Sequence, residues 1–244
     1  MQLDILAFAA HPDDVELACA GTLLMAKRDG KRTAIVDMTR GELSTRGTLQ
    51  TRGRETEAAS KILQLDYRKN LELPDGNVEV NEDNLKKVVV EMRKLRPTIV
   101  LAPSREERHP DHEAAAELVH RAAFFSGLQK YETSDETGTL DMPHRPLLVL
   151  HYMQSYTFRP SIIIDVTPVF EDRMKAMHAY NSQFDGRDKT QPETFLTQEG
   201  FIDWLRARAS TYGMMIGVPY AEPFWSHEPL GTKDVFSLVT KKIA

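Results

Sequence analysis

The chain has 244 residues, 41% hydrophobic and 27% charged, enough for one large core or at most two small ones. A net charge of -5 with a pI near 5.9 argues against a surface that holds nucleic acid or an anionic bilayer by bulk electrostatics. The single cysteine, Cys19, excludes an intramolecular disulfide and points to the reducing cytoplasm. The N-terminus has no cationic lead or cleavage-site pattern, so a signal peptide is not expected. No stretch approaches the ~20 apolar residues that cross a bilayer.

Taken in chain order, LDILAFAA (3–10) is too apolar for a half-exposed strand and reads as a buried one. VELACAGTLLMAKRDG follows with Leu17, Ala20, Leu24 and Lys27 at helical spacing and Gly30 as a stop, so one helix is expected. RTAIVDMT (32–39) reads as a second buried strand and RETEAASKILQL (54–65) as a second helix, joined by a polar loop long enough to suggest a function. LPDGN (73–77) is turn chemistry. Asn81 caps a helix that Pro97 ends, and TIVLAPS (98–104) is a further buried strand. REERHPDH then leads into the helix EAAAELVHRAAFFSG. PLLVLHYM (146–153) and SIIIDVT (161–167) add strands, while VFEDRMKAMHAYNSQF and GFIDWLRARASTYG add helices. Alternating strand and helix implies a single domain over 1–244, a Rossmann-like three-layer α/β/α sandwich with a mostly parallel sheet.

One internal echo stands out: HPDD (11–14) and HPDH (109–112) both follow a buried strand and precede a helix. Ligands of open α/β sheets sit beyond the carboxyl ends of the strands, where strand order reverses, so the two motifs are expected to face one crevice. Two histidines and a carboxylate with an open fourth position form a catalytic zinc pattern. His11 and Asp14, three apart across a strand-to-helix turn made by Pro12, can converge on one ion, leaving Asp13 to address its water. His112 is assigned as third ligand, His109 as the non-ligand acid or oxyanion group, and Asp111 as the carboxylate orienting an imidazole. A plain helix start explains one such motif alone, since acidic residues suit a first turn; two copies make that reading weak. His120, His144, His151, His178 and His227 read as ordinary histidines, and the Met214, Met215, Ile216 stretch as core.

AHPDDVE, a following helix with AGT, and HPDH about a hundred residues on resemble the LmbE/PIG-L family of metal-dependent de-N-acetylases. The resemblance implies hydrolysis of the N-acetyl group of an N-acetylglucosamine conjugate with zinc, Fe²⁺ being an alternative on the same ligands. It places His11, Asp14 and His112 on the metal, Asp13 as general base, and His109 as a charged histidine assisting the oxyanion and the leaving amine. GELSTRGTLQTRGRE, NLELPDG, RHPDH, AYNSQF and GVPYAEPF extend the similarity to the bacillithiol branch of the family, which implies a malyl conjugate, N-acetylglucosaminyl malate, as substrate. Chitobiose or a thiol-sugar adduct is the alternative substrate, and trimers or hexamers are the expected assembly. Of Arg40, Arg46, Arg52, Arg54, Arg105 and Arg108, which flank the motifs, Arg52 and Arg108 match arginines of that branch and are expected to grip the substrate carboxylates. A non-haem iron oxygenase and a nucleotide-binding module are the rival classes; the latter lacks a GxGxxG turn.

Overall fold

The computed structural model describes residues 2–134, 138 and 141–240. Strand β1 (Ile5–Ala9) is buried along its whole length, and its side chains alternate between two cores. Ile5, Ala7 and Ala9 face a core built with α1 (Asp14–Ala18), α2 (Ala20–Arg28), α3 (Leu49–Ile62), α6 (Phe170–His178) and α8 (Phe201–Ile216). Leu6 and Phe8 face a second core with α4 (Glu82–Leu95) and α5 (Pro110–Phe125). Both faces of the sheet are therefore covered, as buried parallel strands require.

Seven strands are found among the described residues, in the order β3-β2-β1-β4-β5-β7-β6. β2 (Thr33–Thr39), β3 (Tyr67–Leu73), β4 (Ile99–Ala102) and β5 (Leu148–Tyr152) run parallel to β1, while β7 (Ala221–Trp225) runs antiparallel to β5 and to β6 (Ile162–Asp165). The chain moves outward from β1 to β3 and then returns to place β4 on the other side of β1. The switch point thus lies between β1 and β4, the two strands that lead into HPDD and HPDH.

Two strands escaped the sequence reading. β3 is an edge strand whose first four residues are half-buried, so YRKNLEL shows no apolar run. β7, AEPFW, contains Pro223, which ordinarily argues against a strand. Helix α3 begins at Leu49 rather than at residue 54, because the Thr48 hydroxyl caps it by accepting from the Thr51 N–H at 3.1 Å. Met214 and Met215 are 71% and 56% exposed, so the expectation that they are core is corrected: they lie on the outer side of α8.

The expected single helix after β1 is broken at Cys19, with α1 before it and α2 after it. The cause is a carboxylate from β7: Glu222 accepts from the Gly21 N–H at 2.9 Å, the Thr22 N–H at 2.7 Å and the Thr22 hydroxyl at 2.7 Å. Free N–H groups at a helix start need such an acceptor, and Arg173 balances the buried charge with Nε at 3.1 Å from Glu222. A Cβ on Gly21 would stand 2.7 Å from Glu222 Oε1 and 2.8 Å from Val166 Cβ. Gly21→Ala should therefore destabilise the fold by ~1–3 kcal/mol, the range for overpacking a tight site, measured as a lower urea midpoint.

Candidate metal centre and active site

His11 leaves the end of β1, and its backbone N–H donates to Asp14 Oδ2 at 2.8 Å, folding the tetrapeptide into a tight turn. Pro12 lies two residues before α1 rather than at its first position, and Asp13 takes the cap position with φ 125°. A non-glycine residue there stores ~1–3 kcal/mol of strain. The turn sends the adjacent carboxylates in different directions. Asp14 points toward HPDH, while Asp13 points toward α3.

Three donor groups converge. His11 Nδ1 lies 3.2 Å from His112 Nε2, His112 Nε2 lies 3.3 Å from Asp14 Oδ1, and His11 Nδ1 lies 3.7 Å from Asp14 Oδ2. With zinc bonds of ~2.0–2.1 Å, the edge of a coordination tetrahedron is ~3.3 Å, so these separations fit an ion at their centre. Supporting contacts fit as well. Gln154 Nε2 donates to Asp14 Oδ1 at 2.8 Å. His11 Nε2 faces Asp75 Oδ1 at 3.0 Å and Asp111 Oδ2 at 3.3 Å, which fixes that proton and leaves Nδ1 to bind an ion. Burial opposes protonation of His11, but Asp111, Asp14 and Asp75 outweigh it and raise its proton affinity well above the ordinary value. The surroundings attract positive charge. His112 Nδ1 is buried without a partner.

His109 caps α5: its Nδ1 accepts from the Asp111 N–H at 3.2 Å, so its proton sits on Nε2. Its ring centroid is 4.7 Å from that of His11 and 5.3 Å from that of His112. His11, His109 and His112 therefore form an alternative ligand set, with one nitrogen each within 4.8 Å of the others. The tautomer fixed by the cap argues against it, because an Nε2–H is a donor and not a ligand. Burial, then the His11 and His112 charges, lower the His109 pKa.

Asp13 is buried, and Arg52 Nη1 donates to its Oδ2 at 2.9 Å. Burial pushes the Asp13 pKa up, Arg52 pulls it down, and the balance is about 7. Arg52 also donates to the Pro12 carbonyl and to Ser44 Oγ, with its side chain only 6% exposed. Arg52, expected to grip substrate, directs these donors at HPDD and the loop before α3. Arg108 is exposed, immediately before His109, with its guanidinium 4.7 Å from the Phe195 ring centroid. Arg46 is buried and donates to carbonyls of Ser182, Asp185, Asp188, Gln191 and Pro192, stapling the long loop to the 182–192 segment.

Asp111 accepts from the Gly76 N–H at 2.7 Å and the Val78 N–H at 3.2 Å, so it ties the 73–77 turn to the site as well as touching His11. That turn contributes Asp75, which the sequence reading treated as turn chemistry alone; Gln154 was missed entirely. An acidic residue inside a turn carries no local mark of a distant histidine. Asp75→Asn should lower metal affinity or turnover ~10- to 100-fold, the range for losing an outer partner of a metal-binding histidine, read by metal content after dialysis against a chelator.

The family model for GlcNAc-PI de-N-acetylase, PIG-L, matches residues 6–123. Diacetylchitobiose deacetylase of Thermococcus kodakarensis is 31% identical over 228 residues, covering 89% of this chain and 80% of that protein. A probable N-acetyl-alpha-D-glucosaminyl L-malate deacetylase 2 of Bacillus subtilis is 23% identical over 76% of this chain and 86% of its own length. Among solved structures, the conserved protein TT1542 of Thermus thermophilus superposes with a TM-score of 0.85 at 36% identity, over 96% of this chain and 98% of that one. No helix among the described residues is long and apolar enough to cross a membrane.

Proposed function

The chain belongs to the PIG-L family of de-N-acetylases, and on that premise we propose that it hydrolyses the acetamide of an N-acetylglucosamine conjugate at the His11, Asp14, His112 centre. The observation that carries this reading is the convergence of those donors at 3.2 to 3.7 Å with Asp13 beside them. Zn²⁺ on these donors, or Fe²⁺, would polarise the acetyl carbonyl and bring a bound water toward a pKa of ~7.

The protein groups do the rest. Asp13, balanced near pH 7, takes the proton of the attacking water. Arg52 and the turn hold that carboxylate in place. The Nε2–H of His109 donates to the oxygen that gains charge as the carbonyl is attacked. Asp13, now protonated, returns its proton to the departing amine. Asp75, Asp111 and Gln154 keep the donor set aligned.

The conjugate we favour has a neutral second sugar, as in diacetylchitobiose. The 31% identity to a diacetylchitobiose deacetylase supports it, and so does the engagement of Arg52 with Asp13, which leaves one expected arginine for a dicarboxylate. Arg108 supports the second reading, a malyl conjugate, because it is exposed beside His109 with no ion pair among the described residues. Release of free amine from diacetylchitobiose and from N-acetylglucosaminyl malate, with and without chelator, tests both. The expected result is metal-dependent release with kcat/KM at least tenfold higher on the disaccharide, ~1.4 kcal/mol of preference. Preference for the malyl glycoside that Arg108→Ala removes would reverse the choice of conjugate. No amine release from any acetylated glucosamine by metal-replete protein would overturn the proposal.

A further inference from the structure

Arg105 sits in the loop between β4 and α5, four residues before His109, and its Nε and Nη2 are buried with no hydrogen-bond partner. A guanidinium keeps its charge at any pH a protein meets, so unpaired buried donors of this kind call for an acceptor. The acidic neighbours on the same loop and helix are engaged elsewhere or exposed. Glu107 accepts from the Arg108 and Ser155 N–H groups at 2.7 and 2.8 Å, Glu113 accepts from the Glu107 N–H at 3.1 Å, Glu117 pairs with Arg121 at 2.6 Å, and Glu106 is exposed.

Four rings stand in file on the same side of the sheet. His120 of α5 is 6.4 Å from His227, His227 is 5.8 Å from Trp225 of β7, and Trp225 is 5.4 Å from His151 of β5, centroid to centroid. The β5 end of the file abuts the Arg105 loop, since His151 Nδ1 lies 2.6 Å from the carbonyl of Pro103, two residues before Arg105, and the Arg105 charge, behind the effect of burial, helps lower the proton affinity of His120 and His151. The file follows β5 and β7, on the far side of β4 from β1, so it is separate from the candidate metal centre.

We propose that Arg105, His120, His227 and Trp225 form a binding site for a small oxyanion, a phosphate or carboxylate group carried by a small molecule. The planar fork of Arg105 matches two oxygens of such a group. The imidazoles of His120 and His227 offer further N–H donors, and Trp225 walls the site. Because Arg105 and His109 share one loop, an occupant would brace the segment that leads into HPDH.

The test is titration of the full-length protein with inorganic phosphate and, separately, succinate, following Trp225 emission in a Trp204→Phe background, which leaves one of the two tryptophans. A saturable change with either anion at constant ionic strength is expected, weakened at least tenfold by Arg105→Gln. The arm that binds more tightly identifies the oxyanion. Arg105→Gln should also melt no lower than its parent in anion-free buffer, since it removes an unpaired charge. If Arg105→Gln does not fold, Arg105→Lys keeps the charge, loses the fork and should weaken binding. A response to both anions no different from chloride would overturn the proposal, and so would full retention of binding in the Arg105 variants. A change of oligomeric state on Arg105→Gln, with the parent insensitive to both anions, would also overturn it by assigning Arg105 to a carboxylate of a second subunit.

Discussion

Asp13→Asn is expected to leave the metal content of the protein unchanged while lowering kcat by ~10²- to 10⁴-fold, the usual contribution of a positioned proton-transfer group. The carboxylate sits outside the converging donors, so its loss leaves His11, Asp14 and His112 in place. Asparagine has nearly the same shape but cannot accept a water's proton. Arg52 loses its charged partner yet keeps the Pro12 carbonyl and Ser44 Oγ, so the stability cost should stay near ~1–3 kcal/mol. Metal analysis, thermal unfolding and single-turnover amine release separate these effects. A fully active Asp13→Asn protein would remove Asp13 from the chemistry.

His112→Ala should abolish tight metal binding and with it all metal-dependent turnover. It removes one corner of the donor set, which should cost more than the ~10- to 100-fold typical of an outer partner. Paired variants discriminate between the Asp14-containing set and the three-histidine set. Asp14→Ala should also strip the metal, whereas His109→Ala should keep it and lose rate. Metal retention by Asp14→Ala together with loss by His109→Ala would shift the centre to the three histidines. Metal content after chelator dialysis is the deciding measurement.

Much of this arrangement could be read along the chain, because the buried strands β1, β2, β4 and β5 are apolar runs, HPDD follows β1 within two residues and HPDH follows β4 after a short loop. What escaped depended on partners distant in sequence. Helix α1 stops at Ala18 on account of a carboxylate 200 residues away, and nothing in VELACAGTLL announces Glu222. Asp75 and Gln154 resemble ordinary polar residues until the fold brings them to His11 and Asp14. Arg52 shows the opposite case. Its position beside the motif was legible, but the direction of its guanidinium was not: it donates to Asp13, whose backbone has a positive φ that no propensity scale predicts.

The Glu222 contact also bears on how the protein is made. HPDD emerges early in synthesis, yet α2, which directly follows the turn, acquires its acceptor when β7 arrives more than 200 residues later, and Asp14 acquires Gln154 some 140 residues later. Contacts closed over such distances form late, since the entropy of a long loop must be overcome before they are gained. The amino-terminal half therefore holds the donors with Asp75 and Asp111, but lacks Gln154 and Glu222. A nascent chain ending near residue 125 should accordingly hold an ion more weakly than the full chain, with the difference made up when the carboxyl-terminal strands dock.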